Sequence, residues 1–149
     1  QQAREGEAEG VRAAYAAAGI AADVAPFFDD LPARMGRAAL VICRSGASTC
    51  AELAAVGRPS ILIPFPAALD DHQTANARPF EAAGAAVLAQ EAGLTPQDLS
   101  GHIRAILAQP ERAAAMAAAA EGLGRPDAAS ALADLVERVA AKTSPESRA

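Results

Sequence analysis

Two polar clusters in this chain carry the residue types and spacing that could do chemistry. The first is Arg44-Ser45-Gly46-Ala47-Ser48-Thr49, with Glu52 three residues further on. Small residues let a ligand approach the backbone, a helix opening here offers amides without intrahelical partners, and two hydroxyls add donors, so the segment can hold an anion. The same residues also make an ordinary capped strand-to-helix turn. Glu52 likewise has two uses. Thr49 and Glu52 have the spacing of a capping box, while a carboxylate one turn into the helix can accept hydrogen bonds from sugar hydroxyls.

The second cluster follows Ile63. Pro64 and Pro66 stiffen a loop, and then Asp71, His72, Gln73 and Asn76 gather. Gln73 and Asn76 are three apart and share one helix face near its start. Their amides both donate and accept, which suits a ligand dense in hydroxyls; a polar first helical turn with no ligand would read the same way. His72 is a candidate general base, set against the commoner use of a lone histidine as a surface or capping residue. An anion turn beside an amide-bearing helix start fits a sugar attached to a phosphate.

Other chemistries lack their residues. Neither cluster has the carboxylates of a dedicated metal cage, and two Cys and two His, scattered, match no zinc spacing. No metal and no cofactor are expected. Cys43 and Cys50 read as small buried hydrophobes in a reducing compartment. The P-loop, dinucleotide and nucleophile-elbow glycine motifs are all missing. A net charge of −5 argues against a nucleic-acid partner. No run approaches the roughly 18 apolar residues of a membrane span, and the polar start, Gln1 to Gly10, does not resemble a signal peptide. The cytoplasm is the default location.

These clusters must be positioned by regular elements, and the hydrophobic period switches repeatedly along the 149 residues. Buried strands are expected at Leu40–Cys43, Ser60–Pro64 and Ala85–Ala89, with a short strand or extended approach at Val24–Phe28. Helices are expected over Val11–Ala18, Leu31–Ala38, Ser48–Val56 (closed by Gly57), Asp70–Ala83, Pro96–Leu107 capped by Thr95, Pro110–Ala120, and from Asp127 to Ala140. Apolar strands alternating with helices predict an α/β fold, a Rossmann-like parallel sheet with helices on both faces. Ligands of such sheets bind at the carboxyl ends of the strands, where both clusters fall. Hydrophobic residues make up 52% and aromatics 3%, so the core is built from Ala, Leu, Val and Ile. No linker divides the chain; residues 1–140 read as one domain and 141–149 as a disordered tail.

The stretch from Phe27-Phe28-Asp29-Asp30, through Arg44-Ser45-Gly46-Ala47-Ser48-Thr49 and Glu52, to Asp71-His72-Gln73-Thr74-Ala75-Asn76-Ala77 resembles the C-terminal, donor-binding domain of family-28 glycosyltransferases. The resemblance runs from about Gln1 to about Ala140. It implies the C-terminal half of a GT-B fold, and a parent enzyme that transfers N-acetylglucosamine with inversion from UDP-N-acetylglucosamine to undecaprenyl-diphospho-muramoylpentapeptide in peptidoglycan synthesis. It implies that the backbone at Phe28 reads the uracil edge, that Ala47, Ser48 and Thr49 hold the diphosphate, that Glu52 binds the ribose hydroxyls, and that His72, Gln73 and Asn76 grip the N-acetylglucosamine. Arg44 belongs to the signature and shapes the substrate site. The base is expected from the N-terminal domain, which leaves no catalytic residue here, with His72 the weak candidate.

The family pattern also contains an N-terminal domain that receives the lipid-linked acceptor, and a first strand with a glycine-rich loop in the C-terminal domain. Neither matches this sequence, so the chain is expected to be N-terminally truncated, inactive alone, and to expose apolar sheet edges. The parent would sit peripherally on the inner face of the cell membrane. Rival readings are a family-28 transferase with another acceptor, a nucleotide-sugar-binding subunit that needs a partner chain, and a purely structural α/β domain.

Overall fold

The computed structural model describes residues 1–143, with side chains through Ala141. The chain forms two compact units, Gln1–Arg34 and the part from Met35 onward. The first contains α1 (Ala8–Ala17). Gln2 bridges Ala25 in a single parallel pairing, with the Ala3 amide bonded to the Ala25 carbonyl at 3.0 Å. Tyr15 donates its hydroxyl to Gln1 Oε1 at 2.7 Å. The strand expected at Val24–Phe28 is thus one bridge at Ala25, because Pro26 supplies no amide to continue a ladder. Helix α2 covers Leu31–Arg37.

The second unit is built on β1 (Val41–Cys43), β2 (Ser60–Leu62) and β3 (Ala86–Leu88), paired in parallel in the order β1-β2-β3. Ile42 pairs with Ile61, and Ile61 with Val87. Each strand is shorter than its apolar run. Pro64 has no amide hydrogen, and past Leu62 only isolated bonds continue, such as the Ala89 amide to the Leu62 carbonyl at 2.9 Å. All three residues of β2 are buried, so both of its faces are covered, as expected for a parallel sheet. At β1, which ends the sheet, Ile42 is 42% exposed.

Helix α3 (Ala47–Val56) follows β1, α4 (His72–Ala82) follows β2, and α5 (Pro96–Leu107) and α6 (Pro110–Gly122) follow β3. Helix α5 has the expected bounds and a complete capping box between Thr95 and Asp98. Ile61, Ala89, Ile106 and Met116 form a buried cluster that packs the sheet on α5 and α6. Alanine-rich α6 then approaches α3 closely. A Cβ on Gly124 would lie 3.0 Å from the Ala54 carbonyl oxygen, and Gly57, in the left-handed conformation that closes α3, faces Glu121.

Helix α7 (Ala128–Thr143) runs three residues past the expected end at Ala140, because Ala141, Lys142 and Thr143 include no helix breaker. The remainder of the expected tail, 144–149, lies outside the described residues. Leu132, Leu135, Val136 and Val139 form one stripe along α7, each between 48% and 61% exposed.

Leu53 is fully buried on α3 and holds the helix that carries the first polar cluster. Leu53→Ala is expected to destabilise the chain by about 3 kcal/mol, read as a lower urea midpoint with an unchanged transition slope.

Candidate functional site

The turn after β1 has the geometry of an anion cradle. The N-cap of α3 is Gly46, and the first helical bond runs from the Cys50 amide to the Gly46 carbonyl at 2.9 Å. The amides of Ala47, Ser48 and Thr49 therefore have no intrahelical acceptor. Ala47 and Ser48 are exposed, Thr49 is half-buried, and Glu52 is exposed one turn later. No side chain caps the helix. The capping box considered for Thr49 and Glu52 is not made, because the helix starts three residues earlier and Thr49 lies inside it.

Gly46 has φ −62 and ψ 152, a conformation open to any residue. A Cβ there would meet only Thr49 Oγ1, at 3.8 Å. Neither backbone nor packing demands glycine at this position, and its missing side chain leaves the free amides uncovered.

The second cluster is stitched to this turn. Ser45 is fully buried, and its Oγ donates to the Gln73 carbonyl at 2.8 Å. Asn76 Nδ2 donates back to the Ser45 carbonyl at 3.0 Å. Gln73 Oε1 accepts from the Phe65 amide at 3.0 Å, which pins the proline-rich loop. Half of each amide expected to face a ligand is thus committed within the protein, which leaves the Gln73 Nε2 donor and the Asn76 Oδ1 acceptor for a ligand. His72 is exposed, and its Nδ1 donates to the Leu69 carbonyl at 2.7 Å. In the neutral ring that bond leaves Nε2 as an acceptor.

The helix expected from Asp70 begins at His72. Asp70 and Asp71 both have φ 51, in the left-handed region, and only a short 3-10 turn covers Leu69–Asp71. Thr74 Oγ1 donates to Asp71 Oδ1 at 2.6 Å and helps hold the turn.

Arg44 reaches across the sheet end. Its Nη1 lies 3.1 Å from the Pro64 carbonyl, 3.3 Å from the Ile63 carbonyl and 2.5 Å from Glu91 Oε2, and Cζ is 5.5 Å from the centre of the Phe65 ring. Arg44 and Glu91 border an apolar groove of about 320 Å³, lined also by Ile42, Cys43, Ile63 and Leu94. Glu91 was not singled out by the sequence; it lies in a loop with no motif, and a carboxylate 47 residues from its partner gives no local signal. Phe28 belongs to the first unit. The Arg34 guanidinium sits 4.1 Å from its ring centre and pairs with Asp23 and Asp30, each at 2.6 Å.

The cysteines offer no nucleophile. Burial pushes the Cys43 thiol up to about 12, with the neighbouring Cys50 adding to the shift, and burial raises Cys50 as well. Neither thiol is expected to react readily with a disulfide reagent at pH 8 in the folded chain, and both should react at once in denaturant. Asp70→Gly should relieve the left-handed strain and stabilise the chain by about 1 kcal/mol, measured by urea denaturation.

Comparison with known proteins identifies the family of the chain. The model of the Glycosyltransferase family 28 C-terminal domain matches residues 1–138. A relative from Agrobacterium fabrum, named UDP-N-acetylglucosamine--N-acetylmuramyl-(pentapeptide) pyrophosphoryl-undecaprenol N-acetylglucosamine transferase, is 53% identical over 140 residues, 94% of this chain and 37% of that protein. A relative of the same name from Mesorhizobium japonicum is 50% identical over 142 residues, 95% of this chain and 38% of that protein. The crystal structure of Acinetobacter baumannii MurG superposes with a TM-score of 0.84 at 34% identity, over 92% of this chain and 40% of that one. The chain therefore spans well under half the length of the relatives it matches, and over that span it belongs to glycosyltransferase family 28, as the C-terminal domain of that family.

Proposed function

We propose that this chain binds UDP-N-acetylglucosamine as the donor half of an inverting glycosyltransferase whose acceptor is undecaprenyl-diphospho-muramoylpentapeptide. The observation that carries the reading is the pair of hydrogen bonds through Ser45, which sets the free amides of Ala47, Ser48 and Thr49 beside the helix start that bears His72, Gln73 and Asn76. An anion site next to uncommitted amide groups is what a sugar diphosphate requires. The identity of the sugar and of the acceptor is supported by the names of relatives that are half identical to this chain.

In this reading the α3 amides and the Ser48 and Thr49 hydroxyls hold the diphosphate and stabilise the charge that develops on it as the glycosidic bond breaks. Glu52 accepts from the ribose hydroxyls, and the free halves of Gln73 and Asn76, with His72, meet the N-acetylglucosamine. Phe28 presents its backbone to the uracil, as the resemblance implies. No residue of this chain is given the role of base; deprotonation of the acceptor hydroxyl is assigned to the N-terminal domain of such a transferase. An undecaprenyl-linked acceptor would bring the enzyme to the inner face of the cell membrane. Among the described residues no helix is long and apolar enough to cross it, so the attachment proposed is peripheral.

Glu52→Ala is expected to weaken UDP binding more than about tenfold in calorimetric titration, the scale of a lost charge-assisted contact. Unchanged affinity removes Glu52 from the site. Gly46→Val supplies the companion test. It should cost no more than about 1 kcal/mol of stability, since a Cβ at this N-cap meets only an ordinary contact although Val is a poor cap, yet abolish measurable binding of UDP by covering the amides. A Gly46→Val chain that binds UDP normally would show that the ligand does not sit on this turn.

A further inference from the structure

The donor reading leaves Glu91 without a role. It lies in the loop after β3, and its Oε2 is 2.5 Å from Arg44 Nη1. The same nitrogen donates to the carbonyls of Ile63 and Pro64. One guanidinium thus touches the ends of all three parallel strands: its own backbone follows β1, the two carbonyls follow β2, and the carboxylate follows β3. Its neighbours on both sides matter. Arg44 precedes Ser45, which is locked to α4, and Pro64 precedes Phe65, whose amide is held by Gln73.

We propose that Glu91 is a positioning residue for donor binding that acts through Arg44, holding the guanidinium across the strand ends so that the Ser45–Thr49 turn keeps its place against the Phe65–Asn76 segment. The proposal rests on the reading of that turn as the diphosphate site. A guanidinium close to a diphosphate would ordinarily be drawn to it, since planar donors match phosphate oxygens. Glu91 competes for Arg44 and keeps it as a strap between loops. A carboxylate so close to a site for a highly charged anion is otherwise unfavourable, because like charges repel.

The two possible uses of Arg44 predict opposite signs for one substitution. As a strap, Arg44 needs Glu91, and Glu91→Gln loosens the turn and weakens UDP binding. As a direct phosphate ligand, Arg44 is released by Glu91→Gln, a repelling charge is also removed, and UDP binding tightens.

The experiment is calorimetric titration of UDP, and separately of inorganic pyrophosphate, into the unmodified chain and into its Glu91→Gln, Glu91→Asp, Arg44→Lys and Glu91→Gln/Arg44→Lys forms, with a melting curve for each. The expected result for Glu91→Gln is a loss of about fivefold for both ligands, the scale of a half-exposed ion pair. Arg44→Lys should lose a similar factor, and the double variant should be no weaker than the weaker single one, because both remove the same strap. Glu91→Asp, which keeps the carboxylate, should stay within about twofold. Unchanged or tighter binding by Glu91→Gln overturns the proposal while leaving the donor site intact, as does a loss of affinity that Glu91→Asp shares in full or that follows a drop in melting temperature. Failure of the unmodified chain to bind UDP overturns the donor reading itself, and this assignment with it.

Discussion

The two hydrogen bonds through Ser45 are the constraint on which the site depends. Its hydroxyl and its carbonyl are both engaged by the first turns of α4, at 2.8 Å and 3.0 Å, and the side chain is wholly buried. Each bond contributes only about 1 kcal/mol net, but a buried polar group left without its partner costs about 1–3 kcal/mol, so the pair fixes geometry more firmly than its net energy suggests. The parallel sheet makes the pairing possible. Because β1 and β2 run the same way, the turns that leave them emerge at one edge, and a residue at the end of one strand can reach the helix that follows the other.

The frame behind that edge is made of small residues. Alanine and glycine let α6 come within backbone contact distance of α3, and the fully buried Leu53 and Ile61 fill the space behind. Close helix approach compensates for the lack of aromatic bulk, since packing density rather than side-chain size decides dispersion and cavity terms. A helix seated in this way has little freedom to tilt. The orientation of its first-turn amides is therefore set by packing far from the ligand side.

The order of strands and helices was legible from the hydrophobic period and its switches, and α5, with Pro96 at its start and Thr95 before it, was legible to the residue. Strand lengths were not, because apolar runs continue past the point where Pro64 ends pairing. At the site, both clusters were visible as motifs. What each side chain does within them was less so. The spacing of Thr49 and Glu52 suggested a capping box, yet the helix starts at the smaller Gly46 side of the turn. The amides of Gln73 and Asn76 suited either a hydroxyl-rich ligand or an ordinary polar first turn, and half of each is used internally. Consecutive left-handed aspartates at 70 and 71 go against local propensity, a departure imposed by the loop that must return the chain to α4. Glu91 had no signature at all, since its meaning arises only where three strand ends meet.

The bond between Tyr15 and Gln1 carries a consequence for how this chain reports on itself. The sequence has one tyrosine and no tryptophan, so near-ultraviolet absorbance and intrinsic fluorescence originate almost entirely in the unit of Gln1–Arg34. The sheet, the Ser45 lock and the helices that follow are nearly silent at those wavelengths and dominate the amide signal in the far ultraviolet instead. The two optical windows look at different units of the same molecule. Any divergence between them on heating separates the loosening of one unit from that of the other, without a label or a mutation.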